Sequence, residues 1–482
     1  MGESLNHSRI GSASGDRIRA LFRQMLGQVS VIAGFSASGR DDQTRSRRPA
    51  PPPKPGRRAR SRSRGTVAAV AGGVLLSSML AACGASANAN AGSVTLNFYA
   101  APDVSGATAK VVARCSAQSG GKYTISYQVL PLASDQQRQQ LIRRLAAGDH
   151  SIDIMGLDVT WAPEFAEAGW IVPWTGLYKQ QAEAGTLKPA LATARWRNQL
   201  VAVPDNSNTQ LLWYRSDLVK TPPVTWAQMI DDSIQLAREG KPHYIEMQGG
   251  QYEGATVWFN TMLASAGGSV LTPNRQGVSL GPQALTALSM MKRFATSDGA
   301  DPSLGVQQEN ENRLSMEAGT AAFELNYPFV YPAMKADNPE LFKHFKWAPY
   351  PEVVAGQPAH VTIGGTDLAV SAYSRYPTLA FQAALCLRDR ASQLESATVG
   401  GLPPTLGSLY GDPAMFADYP FHAEILHALQ TASVRPGTPD YQVLSIDISH
   451  LVSPPTSINP VSTEQGMTGE IRDALQQKGL IP

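Results

Sequence analysis

Cysteine is nearly missing from this 482-residue chain: there are three, at positions 83, 115 and 386. None forms a Cys-x-x-Cys pair, and the eight histidines are scattered with no His-Glu-x-x-His among them. That spacing argues against a metal site, and no cofactor motif is present. Long apolar runs are scarce as well. The uncharged stretch Thr66–Ala82 is about 17 residues with two adjacent glycines, short of the ~20 that cross a bilayer comfortably. No internal repeat is visible. Charged residues make up 17% of the chain and net only +2, which hides a division. Residues 1–65 hold thirteen Arg and one Lys against four acids, so taking their +10 from +2 leaves −8 for everything after them. A basic head could bind nucleic acid, but this one runs straight into the apolar stretch, which argues against nucleic acid as a partner.

What is present begins with that basic head. Residues 1–65 carry a Pro-rich stretch and Arg/Ser repeats with little to bury, and read as disordered. Residues 66–82 follow as a short apolar core with a positive flank and small residues at its end, the pattern of a signal peptide; a single-pass anchor is the competing reading. Leu80-Ala81-Ala82-Cys83 then has the form of a bacterial lipobox, which makes Cys83 a lipid attachment site and residues 83–93 a flexible tether. The expected location is the outer face of the cytoplasmic membrane. The start of the head, some 60 residues upstream of the signal, suggests an annotated start placed too early or an unusually long leader. Cys115 and Cys386 are an even pair in an exported chain, which suggests one disulfide; two buried thiols are the alternative.

Strand and helix patterns alternate after the tether. Val94–Ala100, Tyr123–Leu130 and Ile152–Leu157 read as strands, with helices over Gly106–Ser119 and Asp135–Ala147, the latter capped by Ser134. This order predicts a parallel, doubly wound α/β sheet, with ligand at the carboxyl ends of its strands, near Pro102–Ser105 and Asp158–Trp161. Strands are also expected at Leu200–Pro204, Leu211–Tyr214, Ala321–Asn326 and Val361–Ser371, the last broken by Gly364-Gly365. The polar run Asp205–Thr209 looks like a crossover between lobes. Helical patterns fill Thr225–Ser297 and return after Gly400, with a loop at Val434–Pro439.

The segments DIMGLDVTWAPEFAEAGWIVPW, AVPDNSNTQLLWYRSDLV, FELNYPF, TIGGTDLAV and GGLPPT occur in an order that resembles the extracellular solute-binding proteins of ABC importers, of the maltose-binding type. Within that type the chain is most similar to mycobacterial trehalose-binding lipoproteins. The likeness runs from Val94 to Pro482; it has no counterpart before Thr66, and Met334–Trp347 looks shorter than its equivalent. It implies a type II periplasmic-binding-protein fold: two α/β lobes, each a doubly wound sheet with flanking helices, joined by a hinge that closes on ligand. The lobes would be 94–206 plus 362–405, and 207–361 plus 406–482. It also implies a monomer that hands trehalose or a related disaccharide to ABC permease subunits.

A sugar needs carboxylates and amides for its vicinal hydroxyls and flat rings for its C–H faces. On that chemistry and the resemblance, the expected carbohydrate ligands are Asp103, Asp158, Asn206, Asn208, Glu253, Glu309 and Arg435, with Glu311 close enough to confuse the register of Glu309. Tyr327 stands where the trehalose binders have Trp, and Trp258 is a second candidate platform. Gly365 would let backbone amides approach the ligand, with a β-bulge as the other reading. Asp158 also reads as a cap for the helix after it. Replacing Asp158 or Arg435 with alanine is expected to weaken binding about tenfold or more without moving the melting temperature. The rival functions are a binder of a different oligosaccharide, a sugar phosphodiester or a peptide, and a secreted glycosidase using Asp158 and Glu309.

Overall fold

The computed structural model describes residues 93–103 and 105–478. The basic head, the apolar segment and the lipobox with Cys83 lie outside the described residues. Eleven strands are present among them: β1 (Val94–Ala100), β2 (Tyr123–Val129), β3 (Ile154–Asp158), β4 (Arg195–Trp196), β5 (Gln199–Leu200), β6 (Val203–Asn208), β7 (Leu211–Arg215), β8 (Tyr244–Glu246), β9 (Ala321–Asn326), β10 (Phe345–Ala348) and β11 (Gly364–Val370). They form a five-stranded sheet in the order β2-β1-β3-β11-β6, a four-stranded sheet in the order β10-β7-β9-β8, and the small β4-β5 hairpin.

The first sheet begins as the sequence implies. β1, β2 and β3 are parallel, and the helices Ala107–Gln118 and Ser134–Ala146 connect them. The first helix buries Ala107, Val111, Val112 and Cys115, a stripe at helical spacing. The second buries Leu141, Ile142 and Leu145 and carries Asp135 in its first turn and Arg143 and Arg144 in its last, each sign matching the helix dipole. Ser134 is the first residue of this helix rather than its cap; Ala133 holds that position and offers no side-chain acceptor. A larger correction concerns the sheet. β11 runs antiparallel to both β3 and β6, so the sheet is mixed. The reason is that β11 arrives from the second half of the chain without a right-handed crossover from β3. β6 runs through Asp205–Asn208, where β11 supplies hydrogen-bonding partners as far as Asn208, and the next strand, β7, belongs to the second sheet.

Gly365 shows what that pairing demands. Its φ is +126°, and a Cβ there would sit 2.2 Å from the Asn206 carbonyl oxygen. The close approach is thus between β11 and β6. Gly365→Ala is expected to lower stability by about 2–3 kcal/mol through strain and overlap; an unchanged denaturation midpoint would show that the strands can separate at no cost.

The second sheet explains its continuous apolar run. In β7, Leu211 and Trp213 face one cluster, with Phe345, Met316 and Phe421, while Leu212 and Tyr214 face another, with Trp226, Trp258 and Phe294. A strand buried on both faces needs no alternation. The helices Trp226–Arg238, Glu253–Ser265, Gly281–Ala295, Tyr441–Val452 and Pro460–Leu475 contribute to the second cluster. Thr225 and Gln228 close the first of these with a reciprocal capping box. Cys115 and Cys386 are joined in a disulfide, which ties the helix Ala107–Gln118 to the helix Pro377–Leu387 across 271 residues of sequence.

Candidate functional site

β3 ends at Asp158, on the carboxyl edge of the first sheet. One of its carboxylate oxygens accepts from the Thr160 amide at 2.9 Å and the Thr160 hydroxyl at 2.7 Å, which fixes the side chain. Register places partners beside it: Thr366 of β11 pairs with Asp158 on one side and with Asn206 on the other. Paired residues share a face, and so do residues two apart on a strand. Asp158, Asn206 and Asn208 therefore belong to one face of the sheet at one end. The Asn206 amide nitrogen donates to Asp205 at 3.3 Å, while the Asn208 amide oxygen is buried with no hydrogen-bond partner in the protein.

Glu253 opens the helix Glu253–Ser265, where the dipole favours a carboxylate. Both of its oxygens are occupied. One accepts from the Arg435 guanidinium and the Tyr441 hydroxyl, the other from the Ser445 hydroxyl. Tyr441 and Ser445 lie four apart on the helix Tyr441–Val452, so both reach the same carboxylate. Thr256 donates to the Ser445 carbonyl at 2.9 Å and draws the two helices together. Burial pushes the Glu253 carboxyl up, and Asp158 adds to this; Arg435, Ser445 and Tyr441 act against it.

Arg435 is the centre of the arrangement. Its side chain is 4% exposed. One terminal nitrogen meets Glu253 and the other lies 3.3 Å from Asp158, while Nε has no protein partner. Burial works against its charge, but Asp158, Tyr441 and Glu253 outweigh that and push the guanidinium up. The loop carrying it is pinned from behind: Ser433 exchanges backbone hydrogen bonds with Val361 and Ile363, and Thr362 is bonded to Asn260 and Thr261 of the Glu253–Ser265 helix.

Tyr327 follows β9 and Glu309 opens the helix Glu309–Glu317. Burial raises the Tyr327 hydroxyl, as does the nearby Glu309, while Arg435 opposes the shift. Burial also raises the Glu309 carboxyl, with Glu311 and Glu253 adding repulsion and the Tyr252 hydroxyl opposing it. No Lys or Arg forms an ion pair with Glu309 among the described residues.

Asp158, Glu253 and Arg435 thus meet directly, and Tyr327 and Glu309 lie within their field. Other candidates are placed differently. Trp258 is fully buried, stacked on Trp226 with ring centroids 6.1 Å apart; it is a core residue and not a platform. Asp103 accepts from the Thr108 amide at 2.6 Å and from Ser105, so it holds the start of the helix Ala107–Gln118. Gly365 accommodates β6. Tyr252, Thr256, Tyr441 and Ser445 were not among the expected residues. The Tyr441/Ser445 pair, four apart at the start of a helix, carried the one usable signal. Among the described residues no cluster of His, Cys, Asp and Glu could hold a metal ion.

A model of the bacterial extracellular solute-binding proteins matches residues 102–384. The chain belongs to this family. A probable ABC transporter-binding protein of Deinococcus radiodurans is 27% identical to this solute-binding protein over 334 residues, covering 65% of this chain and 77% of the relative. Among solved structures, maltose-bound MalE3 of T. maritima superposes with a TM-score of 0.71 at 23% identity, over 79% of this chain and 99% of that one. The GacH receptor of Streptomyces glaucescens, solved unliganded and with acarbose, gives 0.70 at 21% identity, over 80% of this chain and all of that one. These likenesses establish the two-lobed fold of the solute-binding protein.

Proposed function

We propose that this solute-binding protein captures a neutral disaccharide, with trehalose favoured, and delivers it as a lipid-anchored monomer to the permease subunits of an ABC importer. The lobes are 94–206 plus 362–405 and 207–361 plus 406–482, and Cys83 supplies the anchor. The observation that carries the reading is the buried Arg435 held between Asp158 and Glu253, with its Nε and the Asn208 amide oxygen left without protein partners. A buried donor and a buried acceptor without partners each cost about 1–3 kcal/mol, which vicinal hydroxyls of a sugar recover. Tyr327 offers a ring for a sugar face. The sugars and sugar analogue named with its structural relatives are of the same chemical class.

Two features argue against the rivals. Two carboxyl groups, Asp158 and Glu253, hold one guanidinium, and Glu309 adds a third acid in the field of Glu253, which disfavours a phosphorylated ligand. Hydrolysis needs two free carboxyls flanking the bond. In the Asp158–Glu309 pair that a glycosidase would use, Asp158 is engaged by Arg435 and Thr160, which argues against it as a free catalytic carboxyl. Isothermal titration with trehalose, maltose, sucrose and trehalose 6-phosphate tests the reading. Trehalose is expected to bind at least about tenfold more tightly than its phosphate. Tighter binding of the phosphate, or release of glucose during the titration, would overturn it; heat with maltose alone would change the sugar and keep the class.

A further inference from the structure

Beneath Tyr327 and Glu309 the second sheet buries two acids side by side. Glu246 of β8 and Glu324 of β9 are register partners on parallel strands, and both are wholly buried. Each has one carboxylate oxygen bonded to an amide: Gln307 donates to Glu246 at 2.6 Å, and Asn326 donates to Glu324 at 2.7 Å. The other oxygen of each has no partner.

Asn326 links this pair to the site above. Its amide nitrogen donates both to Glu324 and to the Glu309 carbonyl, the latter at 2.9 Å. Its amide oxygen accepts from the Tyr327 backbone N–H at 2.8 Å. Trp213 donates to its main-chain carbonyl at 2.8 Å. One fully buried side chain therefore sets where Tyr327 leaves β9 and where the Glu309 helix begins.

We propose that Glu324 and Asn326 are positioning residues for the ligand site, and that loss of a proton from the Glu324–Glu246 pair releases Tyr327 and the Glu309 helix and weakens sugar binding. This rests on the sugar-binding reading above. The Asn326 N–H favours the ionised acid, but burial outweighs it, so the neutral Glu324 is the form that sits against Asn326 without uncompensated charge. Ionised, it becomes a buried anion beside Glu246. The groups facing the pair do not neutralise it. Asp301 adds repulsion at Glu246. On the helix Glu309–Glu317, Glu317 adds repulsion at Glu324 and Arg313 opposes it, but Arg313 is already engaged by Glu317 and by Asp337, at 2.6 and 2.9 Å. Burial pushes both carboxyls up to about 8, which puts the transition just above neutrality.

The test uses trehalose as probe, from about pH 6.5 to 9.5, with wild type and Glu324→Gln; Gln keeps an acceptor for Asn326 and cannot ionise. Amide exchange at Tyr327 in the unliganded protein gives a second readout that needs no ligand. Wild-type affinity is expected to fall about tenfold or more across pH 8, with Tyr327 protection falling in parallel, while Glu324→Gln stays level in both. Parallel profiles for the two proteins, or Tyr327 protection that ignores pH, overturn the proposal. Absence of binding at every pH would sink the sugar reading instead, and the exchange data would still decide the positioning role.

Discussion

Replacing Arg435 with alanine will cost stability as well as affinity. The sequence alone suggests a ligand contact whose removal leaves the unliganded protein intact. The structure changes that expectation, because Arg435 is buried and shared between Glu253 and Asp158. Removing one partner of a buried ion pair leaves the other as an uncompensated charge, at about 3–5 kcal/mol. Asp158 keeps its bonds from Thr160, and Glu253 keeps those from Tyr441 and Ser445, so the lower end of that range is expected. Affinity should fall roughly 10- to 100-fold, the value of one or two charge-assisted hydrogen bonds. The double variant Arg435→Met with Glu253→Gln separates the two effects. It should regain most of the lost melting temperature and none of the lost affinity. A single variant that melts like wild type would mean the network is open in solution.

A second expectation concerns pH. Glu246, Glu324 and Asp367 are wholly buried, and burial is the first cause that pushes each carboxyl up to about 8. In the unfolded chain these groups ionise near the ordinary carboxylate range. Between that range and about pH 8 the folded protein holds protons that the unfolded chain has released. Stability is therefore greatest on the acid side of this window and falls as pH rises through it. From pH 6 to 8 ordinary carboxylates are ionised in both states and cancel. The three buried acids dominate, each worth about 2 kcal/mol over that interval, with a smaller part from Asp205 and Asp447, which are pushed up to about 6. The melting temperature should thus be several degrees higher at pH 6 than at pH 8. Combining Glu246→Gln, Glu324→Gln and Asp367→Asn should flatten the curve and raise its alkaline end. A wild-type melting temperature that is level over this interval would show that water or local opening relieves the three acids.

These acids also mark where sequence reading stops. Glu324 sits in Phe323-Glu324-Leu325-Asn326, a pattern that reads as an ordinary strand with polar residues outward. Glu324 is wholly buried because β9 lies between β7 and β8 and the helix Glu309–Glu317 packs against it. Local pattern was enough for β1 to β3 and their helices, because each buries one stripe against a neighbour close in sequence. It was not enough for β11, whose partners β3 and β6 are set by contacts far along the chain. At the site, Asp158 was singled out by its place at a strand end and Arg435 by its match to the resembled family, and the structure brings the two side chains within 3.3 Å. Trp258 was misleading for the opposite reason: an apolar helix hides its tryptophan as readily as it displays it. Tyr441 and Ser445 went unnoticed since their role depends on Glu253, nearly 190 residues earlier.

The sheet order carries a consequence for a chain made and exported from its N-terminus. β3 gains its second neighbour only when β11 appears, and β6 pairs with β11 alone within that sheet. Some 200 residues separate Asp158 from Gly364, and at typical synthesis rates that is a wait on the order of ten seconds or more. Throughout it, the apolar Ile154–Leu157 edge stands without a partner, a template for pairing with another chain. Cys115 waits longer still, for Cys386. The order of arrival thus leaves the first sheet open until β11 has followed β3 by some 200 residues, the interval in which its β3 edge most needs protection.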